Sequence, residues 1–244
     1  MTKSPWPHLV TPMEPRVSDQ ASFILRRRDW RNSSLILDIF TRDYGCIRAL
    51  ARGARRSSSQ TPYQPFVMLS INWSGRQELK TLTGIEGQVL PVAEENYLSL
   101  LYVNELIGAM LPSGEANAEV FSAYFSLLQH AVVKLEESSL RIFELELMRL
   151  LGYFPDVSVD AVSGQAIDAN LHYQFVINSG FVACTAGARD SVSGRVIIDW
   201  RRADYAGESV LRLAKSVLRS TIDFNLHGKT LKSRDVYSEM MRRK

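Results

Sequence analysis

Apolar and polar residues alternate through the first third of the chain, and apolar residues recur every three to four positions through much of the rest. The alternating segments are Ser22–Arg26, Ser34–Phe40, Cys46–Ala51, Phe66–Trp73 and Glu78–Ile85, and each predicts a short strand. Turn residues separate them: Arg42 to Gly45, then Gly53 with the serine run 57–59, then Ser74 to Arg76. Five short strands in roughly 70 residues fit a small Greek-key barrel, of which the OB-fold is the nucleic-acid-binding example. An SH3-like barrel gives a similar string.

After Gly87 the period becomes helical. Tyr97, Leu98, Leu101, Tyr102, Glu105, Leu106 and Ala109 share helical spacings, and Pro112 closes that segment. Val120 to Leu135 repeats the pattern. A third helix is expected to start with Ser138 or Ser139 as N-cap and to stop at Gly152. Residues 155–200 lose the helical period and contain two expected strands, Tyr173–Ile177 and Phe181–Cys184, joined through Asn178 to Gly180. Helical spacing resumes from about Ala203 to Ile222 and again after Ser233. The expected organisation is an irregular arm over 1–15, a barrel over 16–86 and a helical unit over 87–244 with an insertion at about 155–200.

Charge sharpens this division. The 244 residues carry a formal net charge of +3, but residues 1–85 hold +7, residues 86–160 hold −9 and residues 161–244 hold +5. A basic–acidic–basic layout gives a polyanion two surfaces to meet, although charges also simply solvate exposed faces. No stretch approaches the roughly 18 apolar residues of a membrane span, and the proline-broken N-terminus lacks the apolar core of a secretory signal. Two cysteines, Cys46 and Cys184, cannot build a disulfide framework, so a reducing cytosol is expected.

Catalytic patterns are missing. There is no phosphate-binding G-x-x-x-x-G-K-[ST] loop and no G-x-S-x-G elbow. The four histidines are scattered without ligand spacing, and the paired acids lie in the helical block, where they most often solvate a helix. The expectation is a protein that is not an enzyme and has no cofactor. What remains is a binding signature. Arg26, Arg27, Arg28 and Arg31 surround Trp30, and a second basic run follows at Arg48, Arg52, Arg55 and Arg56. Guanidinium groups neutralise phosphates and an indole stacks on an unpaired base. Equally, Trp30 could pack on the barrel and the arginines could be ordinary turn residues.

These residues resemble a known family. The run from Trp30 through Ser34, Leu35, Leu37, Asp38, Phe40 and Thr41, then Gly45 and Ala51 to Arg55, is similar to the N-terminal domain of the RecO DNA repair proteins. Further similarities follow in order: Gln64 to Phe66, Leu79 to Leu82, Tyr102 with Glu105 and Leu106, Arg141 with Phe143 to Leu145, Leu151 to Tyr153, and Gly228 to Arg234. The resemblance implies an α+β fold: a five-stranded OB-fold barrel followed by a mostly helical C-terminal domain. It also implies a non-catalytic recombination mediator of the RecF pathway. Such proteins bind single- and double-stranded DNA, anneal strands coated with single-strand binding protein (SSB), and with RecR help load RecA at gaps.

Carried onto this chain, the DNA-contacting candidates are Arg26, Arg27, Arg28, Trp30, Arg31, Arg52, Arg55 and Arg56, with Lys229, Lys232 and Arg234 as a C-terminal cluster. Arg141 is the position expected to pair with a carboxylate of the SSB tail, against the simpler reading of an intrahelical pair with Glu137 or Glu144. Many relatives carry a four-cysteine zinc site in the insertion. Here its positions fall near Asp160, Ser163-Gly164, Cys184 and Gly187, and one thiolate cannot hold a tetrahedral zinc. A metal-free zinc-finger-like segment is expected, packed through Phe175, Phe181 and Val182. An RNA-binding or translation-associated OB-fold protein is the alternative, and a metal-dependent nuclease a remote third. The expected location is the cytoplasm, on the nucleoid when bound to DNA.

Overall fold

The computed structural model describes residues 15–242, so the expected arm lies, apart from Pro15, outside the described residues. Five strands close a barrel: β1 (Arg16–Trp30), β2 (Ser34–Thr41), β3 (Gly45–Ala51), β4 (Val67–Ser74) and β5 (Leu79–Val89). They are ordered β1-β2-β3-β5-β4, and the one parallel pairing, β3 with β5, aligns Arg48 with Leu79. With the helical region that follows, this is the α+β architecture of an OB-fold joined to a helical domain. Alternation fills the barrel: Leu35, Leu37 and Ile39 of β2 point inward with Ile47, Ala49 and Ala51 of β3 and Val67, Leu69, Ile71 and Trp73 of β4.

β1 runs well past its expected end and contains an irregularity that matters. Ile24 pairs with Ile39, but the next pair is Arg26 with Asp38, so Leu25 is bulged out of the register. A bulge inserts one residue, and in a period-two element one residue exchanges the faces. Phe23 and Leu25 therefore both turn to the helical domain, while Arg26, Arg28 and Trp30 take the outer face rather than the inner one. Asn104 secures the site, its Nδ2 donating long hydrogen bonds to the backbone oxygens of Leu25 (3.4 Å) and Ile24 (3.5 Å).

The helical part comprises α1 (Tyr97–Met110), α2 (Ala118–His130), α3 (Glu137–Leu150), α4 (Gly194–Arg201), α5 (Glu208–Asn225) and α6 (Lys232–Arg242). Phe23 and Phe40 leave the barrel to meet α2, with Phe23 edge-on to Tyr124 at 5.1 Å and Phe40 5.4 Å from Phe121. The barrel interior thus keeps its own apolar core, and a second core joins the barrel's outer face to the helices.

Four helix expectations need correction. α2 ends at His130, short of Leu135, because the Asn96 side chain takes up the Ala131 and Val133 carbonyls and the Leu135 N–H. α3 begins at Glu137 with Glu136 at the N-cap, two or three residues before the serines expected there. α4 occupies a stretch read as non-helical, because Val196, Ile197 and Ile198 form a β-branched run with poor helix propensity. Burial of Ile197 and Trp200 supplies what propensity lacks. α5 starts at Glu208, not near Ala203, whose positive φ of 58° ends the preceding turn.

The insertion forms a small sheet from β6 (His172–Val176), β7 (Gly180–Cys184) and β8 (Val192–Ser193), in the order β7-β6-β8.

Candidate nucleic-acid interface

One rim of the barrel collects the sequence-predicted arginines. Arg26, Arg28 and Trp30 alternate along the outer face of the β1–β2 hairpin. Asp38 stands opposite Arg26 on β2 and Arg48 of β3 stands opposite Asp38. Its carboxylate takes Arg48 Nε at 2.9 Å and Arg28 Nη2 at 3.6 Å, and so ties together two guanidinium groups from the strands on either side. On the other face of the hairpin, Arg27 donates to the backbone oxygen of Tyr63 at 3.4 Å.

The hairpin tip is pinned to the segment after β3. Gly53, at φ +71°, turns the chain into a short 3-10 segment, Ala54–Arg56, and Ala54 plugs the barrel end. The Arg55 backbone N–H donates to Ser33 at 2.9 Å, its Nη1 donates to the Arg31 carbonyl at 3.2 Å, and its Nη2 lies 3.5 Å from Asp29. Arg52 and Arg56 are exposed and have no carboxylate partner among the described residues. The structure therefore joins two basic runs that are separate in sequence. Trp30 is not among the buried aromatic residues. It is 42% exposed, and the Arg31 guanidinium lies 5.9 Å from its ring centroid.

The C-terminal cluster is less uniform. Lys229 and Lys232 are exposed, with Lys229 Nζ 3.4 Å from the Ala109 carbonyl. Arg234 is committed within the protein: it pairs with Asp223, contacts the Tyr102 hydroxyl at 3.4 Å and lies 5.4 Å from that ring. Of the three, Lys229 and Lys232 present the accessible charge.

Arg141 is buried, at 9% exposure, against Glu144, which is 1% exposed. Of the two intrahelical partners foreseen, the structure uses Glu144; Glu137 instead meets Lys215 of α5 at 2.9 Å. Arg141 Nη1 lies 3.0 Å from Glu144 Oε2, within ion-pair range but off-line for a hydrogen bond. That oxygen and Arg141 Nε are both left without a hydrogen-bond partner. The Tyr102 hydroxyl donates to the other oxygen at 2.6 Å. Burial pushes the Glu144 carboxyl above its usual range, opposed by Arg141, Tyr102 and Arg234. Three segments that resemble the family at distant points of the chain, on α1, α3 and α6, thus meet in one network.

The insertion does not fit zinc. The Asp160 carboxylate, where a first ligand would fall, already accepts the backbone N–H groups of Val162 and Ser163, both at 2.8 Å, and Ala183 at 2.7 Å. Those bonds lower its pKa from the usual aspartate value. Only Cys184 offers a thiol, and no group of three His, Cys, Asp or Glu side chains among the described residues could hold a metal ion. The carboxylate ties loop 160–164 to β7, a join that a metal would otherwise make. Among the packing residues foreseen, Phe175 and Phe181 meet edge-on at 5.4 Å.

Sequence reasoning missed Asn104, Glu105 and the clamp at Asp160. A polar residue between Val103 and Leu106 on the buried side of α1 was a readable signal for Asn104. Glu105 receives the Lys232 N–H at 2.8 Å and the Ser233 N–H and hydroxyl at 2.9 and 2.7 Å, partners that no local pattern announces.

Among the described residues, no helix is long and apolar enough to cross a membrane. Residues 13–88 match the family described as Recombination protein O N terminal, and residues 95–235 match Recombination protein O C terminal. A DNA repair protein RecO of Erwinia tasmaniensis is 35% identical over 231 residues, covering 92% of this chain and 94% of the relative. Proteins of the same name from Actinobacillus pleuropneumoniae and Haemophilus influenzae are each 33% identical over 225 residues, covering 90% of this chain and 94% and 95% of theirs. The two family matches, which together span most of the chain, and relatives 33–35% identical over at least 90% of it place this chain in the RecO family.

Proposed function

We propose that this chain is a non-catalytic DNA repair mediator of the cytosol that binds single- and double-stranded DNA and anneals complementary strands coated with SSB. With RecR, it would help load RecA at gaps. The observation that carries the reading is the rim where exposed Trp30 stands among arginines from two loops. Guanidinium groups draw in phosphates without regard to sequence, and an exposed indole stacks on an unpaired base. Annealing needs that combination, because each strand must be held by its backbone while its base edges stay free to pair. Arg26, Arg27, Arg28, Arg31, Arg52, Arg55 and Arg56 form the phosphate-contacting set, with Lys229 and Lys232 beyond them.

Arg141 is the proposed anchor for the acidic SSB tail. The residue keeps 9% exposure, so a carboxylate that reaches the accessible part of the guanidinium would gain a charge-assisted hydrogen bond in a partly desolvated setting.

The test is annealing of complementary strands precoated with SSB, against SSB lacking its terminal tail. The reading predicts efficient annealing that depends on the tail. Failure to anneal, or equal rates with both forms of SSB, would remove it. Preference for RNA over DNA of the same sequence would favour an RNA-associated role instead.

A further inference from the structure

Adjacent residues of α1 grip two different parts of the molecule. Asn104 holds the bulge of β1 at Leu25, and Glu105, about 100° further around the helix, holds the start of α6. Both Glu105 oxygens are used: Oε1 accepts the Lys232 N–H, and Oε2 accepts the Ser233 N–H and hydroxyl. One turn further on, the Ala109 carbonyl receives Lys229 Nζ. Arg26, next to the bulge, acts on the same carboxylate through space. Burial pushes the Glu105 pKa up, but the bonds from Ser233 and Lys232 and the field of Arg26 more than offset this and leave it below its usual range. The carboxylate thus lies within the field of Arg26 of the barrel and accepts the main-chain N–H of Lys232 at the start of α6.

We propose that Glu105 is a positioning residue for DNA: by capping α6 it sets Lys229 and Lys232 beside Arg26, extending the barrel's phosphate-binding face across α1 onto the helical domain. This rests on the DNA-binding reading above. Physical chemistry gives the proposal an unusual sign. A carboxylate within a cationic surface repels phosphate, so if Glu105 were merely a charge there, removing it would tighten DNA binding. If it holds α6 in place, removing it loosens the two lysines and weakens binding despite the lost repulsion.

The experiment measures single-stranded oligonucleotide affinity over a range of salt for the full chain and its variants. At about 0.7 in slope per phosphate contact on single strands, Glu105→Ala is expected to flatten the plot of log K against log salt by about 1.4, as Lys229→Ala with Lys232→Ala does. When those lysines are already alanine its weakening effect should vanish, leaving only the slight tightening that the lost repulsion gives. Glu105→Gln, which keeps one accepting oxygen, should fall between. An unchanged or steeper slope or tighter binding with both lysines present, or an undiminished weakening in the lysine-free background, would overturn the proposal. Should Glu105→Ala fail to fold, Glu105→Gln and the lysine pair decide the same question. A wild-type chain that binds no oligonucleotide would overturn the DNA reading itself, a result distinct from binding that ignores Glu105.

Discussion

The side chain of Asn104 on α1 donates to the backbone oxygen of Leu25, the residue bulged from β1, while its own oxygen accepts a 2.5 Å hydrogen bond from the Tyr124 hydroxyl of α2. Two helices thereby hold the one irregularity that turns Arg26, Arg28 and Trp30 outward. Asn104→Ala removes the acceptor of the buried Tyr124 hydroxyl and the side-chain bonds to the Leu25 and Ile24 carbonyls. The expected cost is about 1–3 kcal/mol of unfolding free energy, by denaturant titration. DNA affinity should fall as well if the bulge relaxes.

Trp30 separates single-strand from duplex binding. Trp30→Ala is expected to cost about 1–3 kcal/mol of single-strand affinity, with a much smaller loss for blunt duplex, whose bases are already stacked. Trp30→Phe should recover most of it. Fluorescence anisotropy on the two substrates makes the comparison, and equal losses on both would take Trp30 out of base stacking.

Arg141 carries a structural load that must be separated from any role with a partner. Arg141→Ala strands Glu144 in the core and is expected to cost about 3–5 kcal/mol of stability. Arg141→Gln combined with Glu144→Gln removes both charges and should recover a large part of that loss. Binding of an acidic tail peptide should be absent in this stable double variant. Retained binding there would move the tail site elsewhere.

Asp160 makes the insertion sensitive to acid. Its folded pKa is depressed by the three backbone N–H donors, so its contribution is complete above the unfolded value of about 3.9 and is lost as pH falls through the lower folded value. Asp160→Asn is expected to lower the melting temperature at neutral pH, and the gap from wild type should narrow as pH drops below that range. Tag-free protein should contain no equimolar zinc by elemental analysis, and a chelator should leave its melting temperature unchanged.

Gly45 closes the β2–β3 turn at φ +63°, and a Cβ there would come within 1.9 Å of the Glu115 carbonyl oxygen. Strain in the left-handed region alone costs of order 1–3 kcal/mol, and the clash adds to it. Gly45→Ala should therefore lower the denaturation midpoint markedly and loosen the contact where the Gly114 N–H donates to the Cys46 carbonyl at 2.9 Å.

Much of this protein is legible in its residue order. Alternation along Leu35, Leu37 and Ile39 marks a strand half-buried in a barrel, and the spacing of Leu98, Leu101, Tyr102 and Leu106 marks a helix, because local periodicity reports which residues share a face. The basic runs and the acidic middle are equally readable, since each depends only on which residues are present, while the incomplete zinc site is visible only through the family resemblance. Tertiary structure decided the rest. A one-residue bulge at Leu25 reverses which arginines face outward, and alternation cannot report a slip that only the pairing with β2 reveals. Glu105 and Ser233 stand 128 positions apart, so their bond exists only after α1 and α6 have packed. Asp160 looks like one more surface acid until β7 brings the Ala183 N–H to it. A hydrogen bond depends on the position of its partner, and where chain separation is large only the folded core fixes that position.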